Sequence, residues 1–136
     1  MDAPTNLRHK PIISVNDYEK YEPTYPNKTD VRALSIGNAQ YNQNDISLKV
    51  WRETDKHKIS RQSEELPVHR NIDLTILFVS SLLKTEKFIN SKTRLNEQIV
   101  DQIELQQIHQ YYLTNKIHID NQLYELKKLI DTLLKN

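Results

Sequence analysis

Ile46-Ser47-Leu48-Lys49-Val50-Trp51-Arg52 sets apolar Ile46, Leu48 and Val50 against Ser47, Lys49 and Trp51 in strict alternation. Successive side chains of a β-strand point to opposite faces, so this period of two predicts a half-buried strand. Further on the period changes. From Pro67, the residues Val68, Ile72, Leu74, Ile76, Val79, Leu82 and Leu83 fill most of the surface of one helix, a pattern that carries to about Lys87. Such a helix is expected at the centre of the core. Pro67 suits its first turn, where a missing N–H has no partner to lose. Strands followed by helices make the α+β class. The expected architecture is a small β-hairpin or sheet in the N-terminal half, packed on a helical core, with a C-terminal αα-hairpin.

Downstream, Leu95, Ile99, Ile103, Leu105, Ile108, Tyr112 and Leu113 suit another helix, interrupted near Glu104. Asn115-Lys116-Ile117 reads as a tight turn. Ile119, Leu123, Leu126, Ile130 and Leu133 then follow heptad spacing and predict the last helix. The repeat lasts about two heptads, short of an independent coiled coil, so it is expected to pack back on residues 95–114. Homodimerisation through these C-terminal helices stays open.

Around the strand at 46–52, Thr54-Asp55-Lys56-His57 is a polar break and Lys58–Gln62 the expected return strand of a hairpin. Upstream, Thr29 or Asp30 is placed to cap a short helix, Val31–Ile36, with Gly37 as its stop at positive φ. The alternative is a longer helix in which Gly37 permits a close crossing. Residues 1–28 hold Pro4, Pro11, Pro23 and Pro26 with Tyr18, Tyr21 and Tyr25. Pro11–Val15 reads as a short edge strand, and the rest as an irregular arm pinned by its tyrosines. The chain is therefore expected to be one domain over 1–136: an arm (1–28), a short helix plus β-hairpin (29–66), and three to four helices (67–136).

Composition removes whole classes of function. Lys and Arg number 19 against 18 Asp and Glu, a net charge of +1, which fits neither a polybasic binder nor an acidic tail. The chain has no cysteine, which removes disulfides, thiolate metal sites and cysteine nucleophiles. Its single glycine, Gly37, excludes glycine-rich phosphate loops, dinucleotide fingerprints and nucleophile elbows. Met1–Lys10 has no apolar signal region. The uncharged stretch Leu74–Leu83 would span about 15 Å as a helix, half the roughly 30 Å of a bilayer's hydrocarbon. A cytoplasmic protein with no membrane partner, no metal and no cofactor is expected.

Arg61-Gln62-Ser63-Glu64-Glu65-Leu66-Pro67-Val68-His69-Arg70-Asn71-Ile72-Asp73 concentrates the side chains that carry chemistry. Glu65, His69 and Asp73 are the catalytic candidates, because spacings of four would stack them on one helical face, to hold a divalent metal or to form a base with its orienting partner. Pro67 weakens that reading by leaving Glu65 at best before the helix. Arg61, Glu64 and Arg70 are the ligand-binding candidates, the two arginines suiting an anion. The opposing interpretation is structural: glutamates near a helix N-terminus, paired with arginines. Ser60 and Ser63 lie near His69 in sequence, with nothing to indicate a nucleophile's geometry. Between Lys49 and Arg61, five cations face two carboxylates, so Lys49, Trp51, Arg52 and Lys58 are the nucleic-acid candidates. Lysines on an edge hairpin also serve to block aggregation, which makes nucleic acid an unlikely partner. His109 and His118 flank the expected helical turn and are too few for a metal site.

The passage Ser60-Arg61-Gln62-Ser63-Glu64-Glu65-Leu66-Pro67-Val68-His69-Arg70, with Ile46–Arg52 before it, resembles small bacterial proteins grouped only as an uncharacterised family. Pro11–Tyr18, Ala33–Gly37 and the helices from Tyr111-Tyr112 to Leu133 are similar too, so the resemblance covers most of the chain. It implies one intact small domain and supplies neither an activity nor a site. The expected function is a non-catalytic cytoplasmic binding or protein-interaction domain. The alternatives are a small hydrolase or anionic-ligand-binding enzyme using Arg61–Asp73, and a weak nucleic-acid binder using 49–61.

Overall fold

The computed structural model describes residues 1–85 and 87–135. Glu86, in the expected extension of the first helix, and Asn136, the end of the expected domain, lie outside them. The fold is α+β: a four-stranded antiparallel sheet, then three helices. The chain divides into two compact units, Met1–Thr75 and Ile76–Asn136.

The sheet runs in sequence order: β1 (Lys10–Asn16), β2 (Val31–Asn38), β3 (Ile46–Arg52) and β4 (Glu65–Pro67). β3 coincides with the strand read from its alternation. β1 lies at an edge, as Pro11 requires, and its register slips between Pro11 and Ile13. Pro67 closes β4 on the opposite edge instead of opening a helix. The expected hairpin return at Lys58–Gln62 is reduced to one bridge, Glu53 to Ile59, and β4 takes its place beside β3.

The short helix expected at Val31–Ile36 is not there. Those residues form β2, an inner strand paired on both sides. Thr29 Oγ1 accepts the Val31 N–H at 3.1 Å, the bond expected of a cap, but the turn it closes leads into a strand. Val31, Ala33, Ser35 and Gly37 are buried on one face, while Leu34 and Ile36 point to the other. Small residues beneath and large ones above suit a strand that packs tightly on one side. Gly37 has no positive φ and stops no helix. It allows the backbone of β1 to pass close by: a Cβ here would meet the Lys10 carbonyl oxygen.

The N-terminal arm is held by polar contacts more than by tyrosines, since Tyr21 and Tyr25 are exposed. The Met1 ammonium pairs with Asp17, and the Ala3 N–H donates to Asn16 Oδ1 at 3.0 Å. Ala3 and Met1 thereby reach Ala33 and Trp51, where Ile59 also packs. This is the core of the first unit, and it is small.

The first helix, α1 (Val68–Leu82), buries only Ser80 completely, and Ile72, Leu74 and Leu77 are exposed. It is not the buried central element its composition suggests. It ends before Lys87 because the Leu83 and Lys84 N–H groups bond three residues back, to Ser80 and Ser81, tightening the last turn. Lys84 then turns inward, where its Nζ bonds the Ser91 carbonyl and lies 3.1 Å from Glu97 Oε1. The helix expected from Leu95 is shortened to α2 (Leu105–Thr114). Asp101 Oδ1 accepts the N–H groups of Ile103 (3.1 Å) and Glu104 (3.0 Å) in a turn that precedes it. Asn115 separates α2 from α3 (Lys116–Leu133). Across that join the Tyr112 hydroxyl donates to Asp120 Oδ1 at 2.5 Å, and Lys116 reaches Asp120 Oδ2 at 2.6 Å. Among the described residues no helix is long and apolar enough to cross a membrane.

Candidate functional site

The two faces of the sheet differ in chemistry. Antiparallel partners share a face, so Ile13 opposite Ile36, Val15 opposite Leu34, Leu34 opposite Val50, Ile36 opposite Leu48, and Leu48 opposite Leu66 define one continuous aliphatic surface. Every strand contributes to it. Ile13 is 64% exposed and Ile36 42%, so the surface is largely open. It forms the floor of a recess of about 450 Å³, at whose margin lie Lys49, Glu64 and Asn71.

The opposite face carries a buried polar network centred on His9. The ring is 1% exposed and lies 2.9 Å from Ser47 Oγ through Nδ1 and 2.9 Å from Ser35 Oγ through Nε2. The Trp51 indole N–H also donates to Ser35 Oγ, at 2.9 Å. Ser35 thus accepts from Trp51 and has its own proton to give. A histidine protonated on Nδ1 satisfies every partner: Nε2 accepts from Ser35 and Nδ1–H donates to Ser47. Burial holds the His9 pKa below the usual histidine range, with nearby Glu65 opposing and Lys49 assisting. The imidazole is therefore neutral.

Glu65 adjoins this network. Its Oε2 accepts the Gln40 N–H at 3.0 Å, whereas Oε1 is buried with no hydrogen bond. The nearest charged partner of Oε1 is Lys49 Nζ, at 3.8 Å, and the neutral His9 ring approaches it through Nδ1 at 3.5 Å. The Lys49 ammonium also lies 4.9 Å over the Trp51 ring. Strand pairing produces this arrangement, since Lys49 is opposite Glu65 in the β3–β4 register. A second recess of about 450 Å³ opens beside Lys49 and Trp51, walled by Gln40 and by the turn carrying Ile59, Ser60, Arg61 and Ser63.

The sequence candidates are dispersed by this geometry. Glu65 is in β4, and His69 is an exposed residue of α1, so the Glu65–His69–Asp73 helical face does not form. Glu64 accepts from Arg52 Nε at 2.9 Å, and Arg52 also reaches Asp30 at 2.6 Å. The arginine that Glu64 pairs with is thus Arg52, neither Arg61 nor Arg70. Arg61 stands at the second recess, away from the aliphatic one that Glu64 borders. Arg70 is exposed on α1; burial first, then Asp45, raise the Tyr41 pKa above its ordinary value, and the charge of Arg70 only opposes that rise. Of the nucleic-acid candidates, Lys49 pairs with Glu65, Arg52 with Asp30 and Glu64, and Trp51 is 1% exposed, so its ring is not offered to a base; Lys58 is exposed. His109 lies 3.4 Å from the Ser81 carbonyl and His118 is exposed. No group of three or more metal-ligating side chains forms among the described residues.

His9, Ser35 and Ser47 were not legible as a group. They come from three segments, with no spacing to link them. Both serines contact the same imidazole in a water-poor interior, with Glu65 on the Nδ1 side. A serine nucleophile needs its base on one ring nitrogen and an acid bonded to the other; here Ser35 meets Nε2, but Nδ1 bonds Ser47 at 2.9 Å and the Glu65 carboxylate stands off at 3.5 Å. The network holds the arm to the sheet.

A description of a family of unknown function (DUF6530) matches residues 1–135. The chain belongs to that family. The match spans both compact units, in keeping with the resemblance to an uncharacterised family seen along most of the sequence. No curated protein and no solved structure matches the chain.

Proposed function

We propose that this member of the DUF6530 family is a non-catalytic interaction domain of the bacterial cytoplasm, and that the aliphatic face of its sheet docks an amphipathic helix of a protein partner. The observation that carries this reading is the aliphatic surface of Ile13, Val15, Leu34, Ile36, Leu48, Val50 and Leu66, of which Ile13, Val15 and Ile36 are exposed and the others half-buried. Four strands about 4.8 Å apart give it a width near 14 Å, which accommodates one helix of about 10–12 Å diameter. Sheets bury such faces against helices or other sheets. Fully burying one aliphatic side chain contributes about 1.5–3 kcal/mol, so several together can offset the cost of association. The resemblance to small bacterial proteins supports the bacterial source.

The test is a photo-crosslinking residue at Ile36, with a control at Lys56, in cells that naturally make the protein. The expected result is one partner captured from Ile36 and not from Lys56, whose purified form binds wild-type protein and loses at least tenfold in affinity to Ile36→Lys, about 1.4 kcal/mol or more. If the captured partner is the chain itself, light scattering reads the mass of two chains. Equal capture from both positions, or unchanged affinity for Ile36→Lys, overturns the reading.

A further inference from the structure

We infer that the recess beside Lys49 and Trp51 is a binding site for a small monocarboxylate with an apolar or planar body, a site distinct from the docking surface, with Lys49 bordering both recesses. The donors and acceptors around the recess point to an anion. None of its lining residues is a carboxylate. Ser60 Oγ already accepts the Gln62 N–H at 3.0 Å, and Ser63 Oγ accepts the Arg52 N–H at 2.9 Å. Each hydroxyl therefore already accepts one bond and keeps its proton available to a ligand. Arg61 has no carboxylate partner among the described residues, and Gln40 stands at the same wall with its backbone N–H already given to Glu65 Oε2. The lining is rich in donors and poor in acceptors, which selects an anion.

Charge sets the valence of that anion. Lys49 is balanced by Glu65, 3.8 Å away, and their side chains are 10% and 11% exposed. Arg61 is the uncompensated cation, so the recess complements one negative charge. A carboxylate supplies one, and its two oxygens match the guanidinium fork. A phosphate monoester carries about 1.5 to 2 negative charges at neutral pH and would bring the excess toward Glu65. The remainder of the ligand meets Leu7 and Ile59, the apolar part of the lining. A volume of about 450 Å³ lies within the range of small-molecule sites, roughly 300–1,000 Å³.

Trp51 is the only tryptophan in the chain and contributes to this recess, so its fluorescence reports on it directly. The experiment titrates the full-length protein with benzoate, its uncharged isostere benzamide, and phenyl phosphate, following Trp51 emission and melting temperature. Benzoate is expected to give a saturable change in emission and a rise in melting temperature. Benzamide should bind at least about tenfold more weakly, the typical effect of losing a charge-assisted hydrogen bond. Phenyl phosphate should also bind more weakly than benzoate. Arg61→Gln should lose benzoate by a similar factor while the ligand-free protein melts as the wild type does, and Arg61→Lys should restore part of the loss. Absence of benzoate binding, equal binding of benzamide, tighter binding of phenyl phosphate, or unchanged binding by Arg61→Gln overturns the inference.

Discussion

Gly37 packs so closely on β1 that a Cβ atom at this position would lie 1.8 Å from the Lys10 carbonyl oxygen and 2.8 Å from Pro11 Cα. Both are backbone atoms of the paired strand, so no side-chain rotation can relieve the clash. Gly37→Ala should therefore shift the start of β1 and destabilise the protein by about 1–3 kcal/mol, the usual range for overpacking. Urea denaturation measures the loss, and faster amide exchange at Ile13–Val15 would locate it. A change below about 0.5 kcal/mol would show that β1 moves aside freely.

His9 should make stability depend on pH. Burial lowers its pKa from the usual 6.5, so between the folded and unfolded values the unfolded chain binds the extra proton. The stabilising contribution is complete above about pH 6.5 and is lost as pH falls through the histidine range toward the lower folded value. His9→Gln keeps hydrogen-bonding atoms and removes the titration. Melting temperatures of the two proteins should converge as pH drops from about 7 to 5. The four other histidines are common to both, so the difference isolates His9. Parallel curves would refute the prediction.

Legibility in the sequence followed the range of the forces involved. β3 was readable because Ile46, Leu48 and Val50 alternate with polar neighbours, a local pattern that survives in the sheet. β2 was not, because Arg32, Ala33 and Leu34 are good helix formers preceded by a capping threonine. Its decisive alternation lies in size, with Ala33, Ser35 and Gly37 beneath Leu34 and Ile36, and pairing on both sides overrides propensity. Glu65 was legible as a charge near chemistry, but its partner was sought one helical turn away at His69. Lys49 and His9 are brought to it by strand register. Arg61 was legible as an anion-binding candidate, whereas its separation from Glu64 and Arg70 depends on where β4 begins.

The two faces of the sheet should respond oppositely to substitution. Ala33 is fully buried against Ala3 and Trp51, so Ala33→Leu should cost about 1–3 kcal/mol through overpacking. Ile36 points to the open face, and Ile36→Lys should change stability by less than about 1 kcal/mol. Chemical denaturation of both variants checks the pair. A strongly destabilised Ile36→Lys protein would mean that this face is covered in solution.

Glu97 organises the turns between α1 and α2. Its carboxylate accepts from the Thr93 N–H (2.9 Å), the Thr93 hydroxyl (2.7 Å) and the Ser80 hydroxyl (2.8 Å), and lies 3.1 Å from Lys84 Nζ. The Thr93 donors above all, and Ser80 after them, hold the Glu97 carboxyl well below its ordinary value of 4.5. Because the folded value is depressed, the stabilisation is present above about pH 4.5 and is lost as pH falls toward the folded value. Glu97→Gln preserves shape, removes the charge and leaves the 5% exposed Lys84 without its counterion. Its melting temperature should fall clearly below the wild-type value at pH 7, with the gap narrowing as the buffer is taken toward about pH 3. Lys84→Met should be the milder change, since the serine and threonine donors still satisfy the carboxylate. A gap between Glu97→Gln and wild type that is constant with pH would mean that these bonds do not distinguish the ionised carboxyl from the neutral one.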